Sequence, residues 1–360
     1  MTTKLRWGIL GAANIARKNW QAIFHSGNSV LTAVASRDVA KSRQFIRNCQ
    51  SQVPFEREPA ALGSYEELIA SPDVDAIYLP LPTALRKEWV LRAAAAGKHV
   101  LCEKPCAVSA EDLREMLDAC RKNRVQFMDG VMFMHSHRLA RLRETLDDNK
   151  TIGPVRRIVS QFSFSPPEDF FQTNIRGNSR LEPLGCLGDL GWYCVRFSLW
   201  TMNWQMPVRV TGRILRQSAA DANSAGVPIE FSGELFFDGG VSASFFCSFA
   251  ANQQWANVSG TNANLHIPDF VLPFTNQELG FEVHQNNFTA VGCQFKMEAN
   301  ERQVLVGEHG GAPATTQEAN MIRNFANAVR SGQLNEDWME QALKTQEIMD
   351  ACLKSARDAE

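Results

Sequence analysis

The stretch HVLCEKPCAV, residues 99 to 108, sets an acid, a base and a proline directly after two apolar positions, Val100 and Leu101. It follows LRAAAAGK, which reads as a helix closed by Gly97. A buried strand does not end in a bare ion pair without a cause. Either Glu103 and Lys104 solvate a strand end, or something beyond that end requires a positioned ammonium. A second stretch, GILGAANIA, reads as the dinucleotide fingerprint G-x-G-x-x-G/A on Gly11, Ala13 and Ala16, with alanine in place of the second glycine. A strand-to-helix turn there would offer free N–H groups and the positive end of a helix dipole to a phosphate. A tight turn with no ligand is the plain alternative.

A third stretch, ASRDVAKS, places Ser36 and Arg37 at a strand tip and Lys41 in the next turn, with Asp38 the only acid. An acid at this point holds a free ribose 2′-hydroxyl, whereas arginine and hydroxyl groups suit a 2′-phosphate. Arg37 can stack on adenine and fork onto phosphate, which favours NADP(H) over NAD. Asp38 can at the same time cap the following helix.

These groups need a frame. From residue 5 to about 127, short apolar strands (LRWGIL, VLTAVAS, DAIYLPL, HVLCEK, VQFMDG) alternate with amphipathic helices (AKSRQFIRNC, SYEELIAS, ALRKEWVLRAAAAG, SAEDLREMLDACRKN). That alternation predicts right-handed βαβ units and a parallel sheet. Beyond about residue 153, VRRIVSQFSFS, VRVTGRILRQ, IEFSGELFF, VSASFFCSFA and ANVSGTNANLHI alternate apolar and polar residues, with DGG as a turn. This predicts a mostly antiparallel sheet with one face free. ANMIRNFANAVRSG and EDWMEQALKTQEIMDACLKSARD are helical by period. The chain of 360 residues exceeds what one core sustains. The expected architecture is therefore α/β, with a dinucleotide-binding Rossmann domain over 1–127. An α+β domain with a large open antiparallel sheet follows over 128–360, and the ligand cleft lies between the two.

Composition narrows the partners. Hydrophobic residues make up 44% and charged residues 21%, and 37 Lys and Arg against 39 Asp and Glu give a net charge of -2. No basic stripe is long enough to follow a phosphate backbone, so nucleic acid is not an expected partner. The N-terminal apolar run is broken by Asn14 and Arg17, which fits neither a signal peptide nor a membrane span; a cytoplasmic location is expected. The nine cysteines are scattered and read as core hydrophobes. Cys102 and Cys106 lack a second ligand pair, no H-E-x-x-H occurs, and no metal is expected.

GILGAANIARK, VASRDVAKS, YLPLPT, GKHVLCEKP and LGDLGWYCVRFSLW, in this order and spacing, resemble the Gfo/Idh/MocA oxidoreductases across essentially the whole chain. The branch resembled is that of glucose-fructose oxidoreductase, dimeric dihydrodiol dehydrogenase and NADP-dependent xylose dehydrogenase. The resemblance implies that Lys104 reaches the reacting carbon beside the nicotinamide, that a cis peptide often precedes the proline, and that Glu103 lies on the cofactor side. It implies cofactor contacts from Gly11, Ala12, Ala13, Asn14 and Ile15, from Ser36, Arg37 and Lys41, and from Leu79, Pro80, Leu81 and Thr83. Arg86 stands where many relatives carry histidine; it either contacts the cofactor or lies in the helix as a solvated cation.

Asp189 and Tyr193 match the D-x-G-x-Y pattern, and on a helix they share a face. In the implied mechanism Tyr193 exchanges the proton, Lys104 stabilises the alkoxide, and Asp189 orients the pair or binds a substrate hydroxyl. The charge of Lys104 is expected to lower the Tyr193 pKa from its reference of about 10. Alone, Asp189 would read as a helix cap and Tyr193 as a core residue. Phe133, His135, Phe162 and Phe164 are candidate substrate contacts; His137, Phe170 and Phe171 lie nearby.

The implied activity is hydride transfer between NADP(H) and a secondary alcohol, ketone or anomeric carbon of a sugar, sugar derivative or cyclic diol. A transient-redox glycoside hydrolase or lyase and a non-catalytic dinucleotide-binding regulator are the alternatives. A second copy is expected to cover the open sheet, giving a homodimer or dimer of dimers.

Overall fold

The computed structural model describes residues 4–167, 169–218 and 226–358. The first half runs β1 (Leu5–Leu10), α1 (Ile15–His25), β2 (Ser29–Ala35), α2 (Val39–Gln50), β3 (Ala60–Leu62), α3 (Tyr65–Ala70), β4 (Ala76–Leu79), α4 (Thr83–Ala95), β5 (His99–Cys102), α5 (Ala110–Lys122) and β6 (Phe127–Asp129). The second half runs α6 (His137–Asp147), β7 (Val155–Ser163), α7 (Phe170–Thr173), α8 (Trp192–Thr201), β8 (Arg209–Gln217), β9 (Pro228–Phe236), β10 (Ser242–Ser248), β11 (Gln253–Gly260) and β12 (Asn264–Ile267). It ends with β13 (Glu278–Val291), β14 (Gln294–His309), α9 (Gln317–Ser331) and α10 (Glu336–Asp358).

The first sheet is parallel in the order β3-β2-β1-β4-β5-β6. Its central strands β4 and β5 are almost wholly buried because helices cover both faces, which is why they read as unbroken apolar runs. Helix starts follow the side chains that cap them: Asp38 accepts from the Ala40 N–H, Ser64 from Glu67 and Ser109 from Asp112. Gly97, with φ +72°, turns the chain from α4 into β5 as its place in the sequence predicts. The chain order reverses between β1 and β4, so ligands meet the sheet at the C-terminal ends of those strands.

The second sheet has eight strands in the order β14-β13-β12-β11-β7-β10-β9-β8, antiparallel except for the β7–β10 pair. In β7, Ile158, Ser160 and Phe162 are buried while Arg157, Val159 and Gln161 face outward, so one face meets the core and the other is open. The predicted DGG turn joins β9 to β10, with Gly239 and Gly240 at positive φ. ANVSGTNANLHI proves to be a hairpin of β11 and β12. Sequence periodicity misses short β3 and the β13–β14 hairpin, whose distal half carries exposed Phe288, Val291, Phe295 and Met297 and so has no buried face to set a period.

Late elements tie the two sheets together. Helix α9 returns to the first sheet, where Phe325 packs with its ring centre 5.0 Å from that of Trp7 and Glu318 pairs with Lys18 at 2.8 Å. Arg196 of α8 forms a buried ion pair with Asp129 at the end of β6 and donates to Thr345 of α10 at 2.8 Å. Removing one member of such a pair leaves an uncompensated buried charge. Arg196→Met is expected to lower the unfolding free energy by about 3–5 kcal/mol, read as a fall in the urea midpoint against the wild-type chain.

Candidate active site

A cleft of about 460 Å³ opens between the C-terminal edge of the first sheet and the buried face of the second. On the first sheet's side, β1 ends at Gly11, whose φ of +124° excludes a side chain; an added Cβ would lie 3.0 Å from Leu81. Ala13, Asn14 and Ile15 follow along the cleft wall. The first turn of α1 carries no acid and Asn14 makes no side-chain cap, so the helix start keeps its positive end for an anion. At the tip of β2, Ser36 is buried and Arg37 and Lys41 are exposed. Asp38 is turned to the Ala40 N–H at 2.8 Å, so its carboxylate serves α2. These residues fit a dinucleotide with a 2′-phosphate.

The segment after β5 carries Lys104, and the Lys104–Pro105 peptide is cis. Lys104 Nζ donates to the Asp189 carbonyl at 2.6 Å and to its Oδ1 at 2.7 Å, and lies 4.8 Å from the centre of the Tyr193 ring. Asp189 does not share a regular helix with Tyr193: it sits in a π-turn, Leu187–Gly191, that precedes α8. The wider turn still brings both residues onto Lys104.

Arg176, from the irregular segment after α7, takes the other carboxylate oxygen, Nε to Oδ2 at 2.6 Å. Burial would raise the Asp189 pKa, but Lys104 and Arg176 together hold it well below the ordinary carboxylate range. Asp189 is therefore engaged by two cations, one on each carboxylate oxygen.

Tyr193 departs from expectation. Its pKa is raised well above that of free tyrosine, first by burial and then by the negative charges of Glu103, Asp189 and Glu318. The ammonium of Lys104 faces the ring and is neutralised by Asp189, so it does not favour the phenolate. The hydroxyl has only a weak contact, 3.7 Å to Met132 Sδ.

Arg86 is not a solvated cation. It borders the cleft but is buried, with Nε to the Leu81 carbonyl at 2.7 Å and Nη1 to the carbonyls of Glu103 and Pro105. It clamps the backbone on both sides of Lys104. Glu103 accepts the Tyr78 hydroxyl at 2.6 Å. Thr83 is held by Glu182, its hydroxyl at 2.6 Å and its N–H at 2.9 Å. Leu79 lies buried at the strand end, and Pro80 and Leu81 line the cleft.

Of the aromatic candidates, Phe162 and Phe164 border the cleft. Phe133 lies in the core beside Tyr193, ring centres 6.1 Å apart. His135 is turned away, to Asn324 at 3.1 Å and against Trp338, so a substrate contact from it is not what the fold provides. Burial and nearby Arg196 depress its pKa to about 4. Phe170 and Phe171 join Phe164 and Phe249 in an aromatic cluster, and His137 begins α6. Among the described residues no cluster of potential metal ligands occurs.

Sequence reasoning missed Arg176, Glu182 and Asn19. The signal for the first two was the aperiodic run from 170 to 186, longer than an ordinary connection and so a place to seek function.

Residues 5–131 match the Gfo/Idh/MocA oxidoreductase family, described as an NAD-binding Rossmann fold, and residues 139–266 match the C-terminal domain of the same family. The chain belongs to the Gfo/Idh/MocA oxidoreductases. It is 33% identical over 274 residues to trans-1,2-dihydrobenzene-1,2-diol dehydrogenase of Mus musculus, covering 75% of this chain and 76% of that protein. It is 30% identical over 359 residues to D-xylose 1-dehydrogenase (NADP(+)) 2 of Haloferax volcanii, covering 98% and 97%. The 3-ketoreductase KijD10 of Actinomadura kijaniata, solved with NADP and TDP-benzene, superposes with a TM-score of 0.80 at 25% identity over 98% of both chains.

A carboxylate with a depressed folded pKa stabilises the fold above its unfolded pKa, and the effect fades as pH falls toward the folded value. The stability gap between wild type and Asp189→Asn is therefore expected to be full above about pH 4 and to shrink on further acidification, in urea titrations run across that range.

Proposed function

We propose that this chain is an NADP(H)-dependent oxidoreductase of CH–OH and carbonyl groups, acting on a sugar, sugar derivative or cyclic diol. The observation that carries this reading is the convergence of Lys104, Asp189 and Tyr193 at the switch point of a dinucleotide-binding sheet. The relatives' named activities, on a dihydrodiol, on xylose and on a sugar ketone, support the substrate class. The nicotinamide, when bound, supplies or accepts the hydride. Tyr193, kept neutral by burial, donates its proton to the carbonyl oxygen in reduction. Lys104 spends two of its three donors on Asp189 and keeps one for the developing alkoxide. Phe162 and Phe164 offer apolar wall to the substrate ring.

Residues 1–127 serve the cofactor, and residues 128–360 serve the substrate and self-association. A second copy covers the open face of the eight-stranded sheet, and the protein works in the cytoplasm. Among the described residues, no helix is long and apolar enough to cross a membrane.

Titration with NADPH and NADH, followed by a panel of aldoses, ketoses and cyclic diols, tests the reading through nicotinamide absorbance. Preferential NADPH binding with substrate-dependent absorbance change is expected; tight binding without net change for any compound would assign the chain to transient-redox or regulatory use. Tyr193→Phe should lower kcat by roughly 10²- to 10⁴-fold with NADPH affinity kept, and unchanged turnover would remove Tyr193 from the mechanism. Light scattering at micromolar concentration should return a dimer or larger, and a monomer would contradict the covered sheet.

A further inference from the structure

Asn19 stands on the second turn of α1, facing inward, and borders the same cleft as Glu103 and Lys104. It is completely buried. Neither its Nδ2 nor its Oδ1 has a hydrogen-bond partner among the described residues. The Tyr78 hydroxyl, which gives its proton to Glu103 at 2.6 Å, lies close enough to feel the Asn19 amide, but the two are not joined by a bond of hydrogen-bonding geometry. Buried amides are nearly always satisfied, so one left bare on both atoms destabilises the empty protein. Leucine would fill that space without the penalty. The amide is therefore kept for something that enters the cleft.

The orphaned atoms define the visitor. One donor and one acceptor on a planar amide are matched by another primary carboxamide, which pairs through two antiparallel N–H···O bonds. The proposed cofactor carries one such group, on the ring carbon next to the one that exchanges hydride. Its 2′-phosphate end belongs at Ser36 and Arg37 and its pyrophosphate at the start of α1, so its nicotinamide end falls toward Lys104, the part of the cleft that Asn19 borders.

We propose that Asn19 is a cofactor-binding residue whose side-chain amide receives the nicotinamide carboxamide and so sets which face of the ring is turned to Lys104 and Tyr193. This rests on the NADP(H) reading above.

The test is calorimetric titration of wild type, Asn19→Leu and Asn19→Ala with three ligands. They are NADPH, its 3-acetylpyridine analogue, in which a methyl replaces the carboxamide NH₂, and 2′,5′-ADP, which has no nicotinamide. Both variants should bind NADPH roughly ten- to a hundredfold more weakly and 2′,5′-ADP as well as wild type does. Wild type should prefer NADPH to the analogue, and Asn19→Leu should lose that preference. The ligand-free Asn19→Leu protein should also melt at a higher temperature than wild type.

Unchanged NADPH affinity in a more stable Asn19→Leu protein would mean that the amide serves only trapped water, and the proposal falls. Equal weakening of NADPH and 2′,5′-ADP would mean that α1 had shifted, and it falls likewise. Failure of wild type itself to bind either nucleotide would instead overturn the NADP(H) reading, and this inference with it.

Discussion

The buried carboxylate of Asp189 is the charge around which the site is arranged. An ion at that depth is tolerated only with full compensation, and here two cations from separate parts of the chain supply it. Lys104 comes from the end of β5 and Arg176 from the segment after α7, while Asp189 itself sits on the π-turn before α8. Lys104, 85 residues from Asp189, and Arg176, 13 residues from it, are brought to one point by the need to neutralise one group. The ammonium is thereby aimed and its position no longer depends on a flexible side chain in water.

The support behind this point is equally polar. Arg86 holds the carbonyls on either side of Lys104, so the turn is gripped by a buried guanidinium. Arg196 and Asp129 join the last strand of the first sheet to α8, the helix that carries Tyr193. The two halves of the site are therefore linked through buried hydrogen bonds as well as apolar packing. Such links resist the relative motion that an interface of ordinary domains would allow. The open face of the eight-stranded sheet lies opposite this construction, so association through it would leave the cleft unobstructed.

Local pattern carried much of this. The alternation of buried strands and amphipathic helices, the glycine-bearing turn after β1, and the charged end of β5 each follow from backbone geometry and short-range chemistry, and each stands in the structure where the sequence placed it. Errors arose where a residue's meaning depends on a distant neighbour. Arg86 reads as either a cofactor contact or a solvated helix cation, and the second is excluded only when the carbonyls of 81, 103 and 105 are seen to surround it. Lys104 looks like a charge that would acidify Tyr193 until Asp189 is found to take it up. In the β13–β14 hairpin the distal half escaped because it has no buried face to impress a period on the sequence, while Leu279, Phe281 and Val283 keep a short buried face near its base.

The amino-acid sequence by itself determined the fold class, the family, the expectation of a 2′-phosphate and the identity of Lys104, Asp189 and Tyr193 as candidates, because these reside in residue types and in spacings of a few positions. Only the tertiary structure decided their electrostatic states and their partners. Arg176, Glu182 and Asn19 are brought to the cleft only when the chain closes, and the pKa shifts of Asp189 and Tyr193 are set by burial and by charges that no local pattern records. A side chain's chemistry is written in the sequence, but its solvent and its neighbours are set only when the chain closes around it.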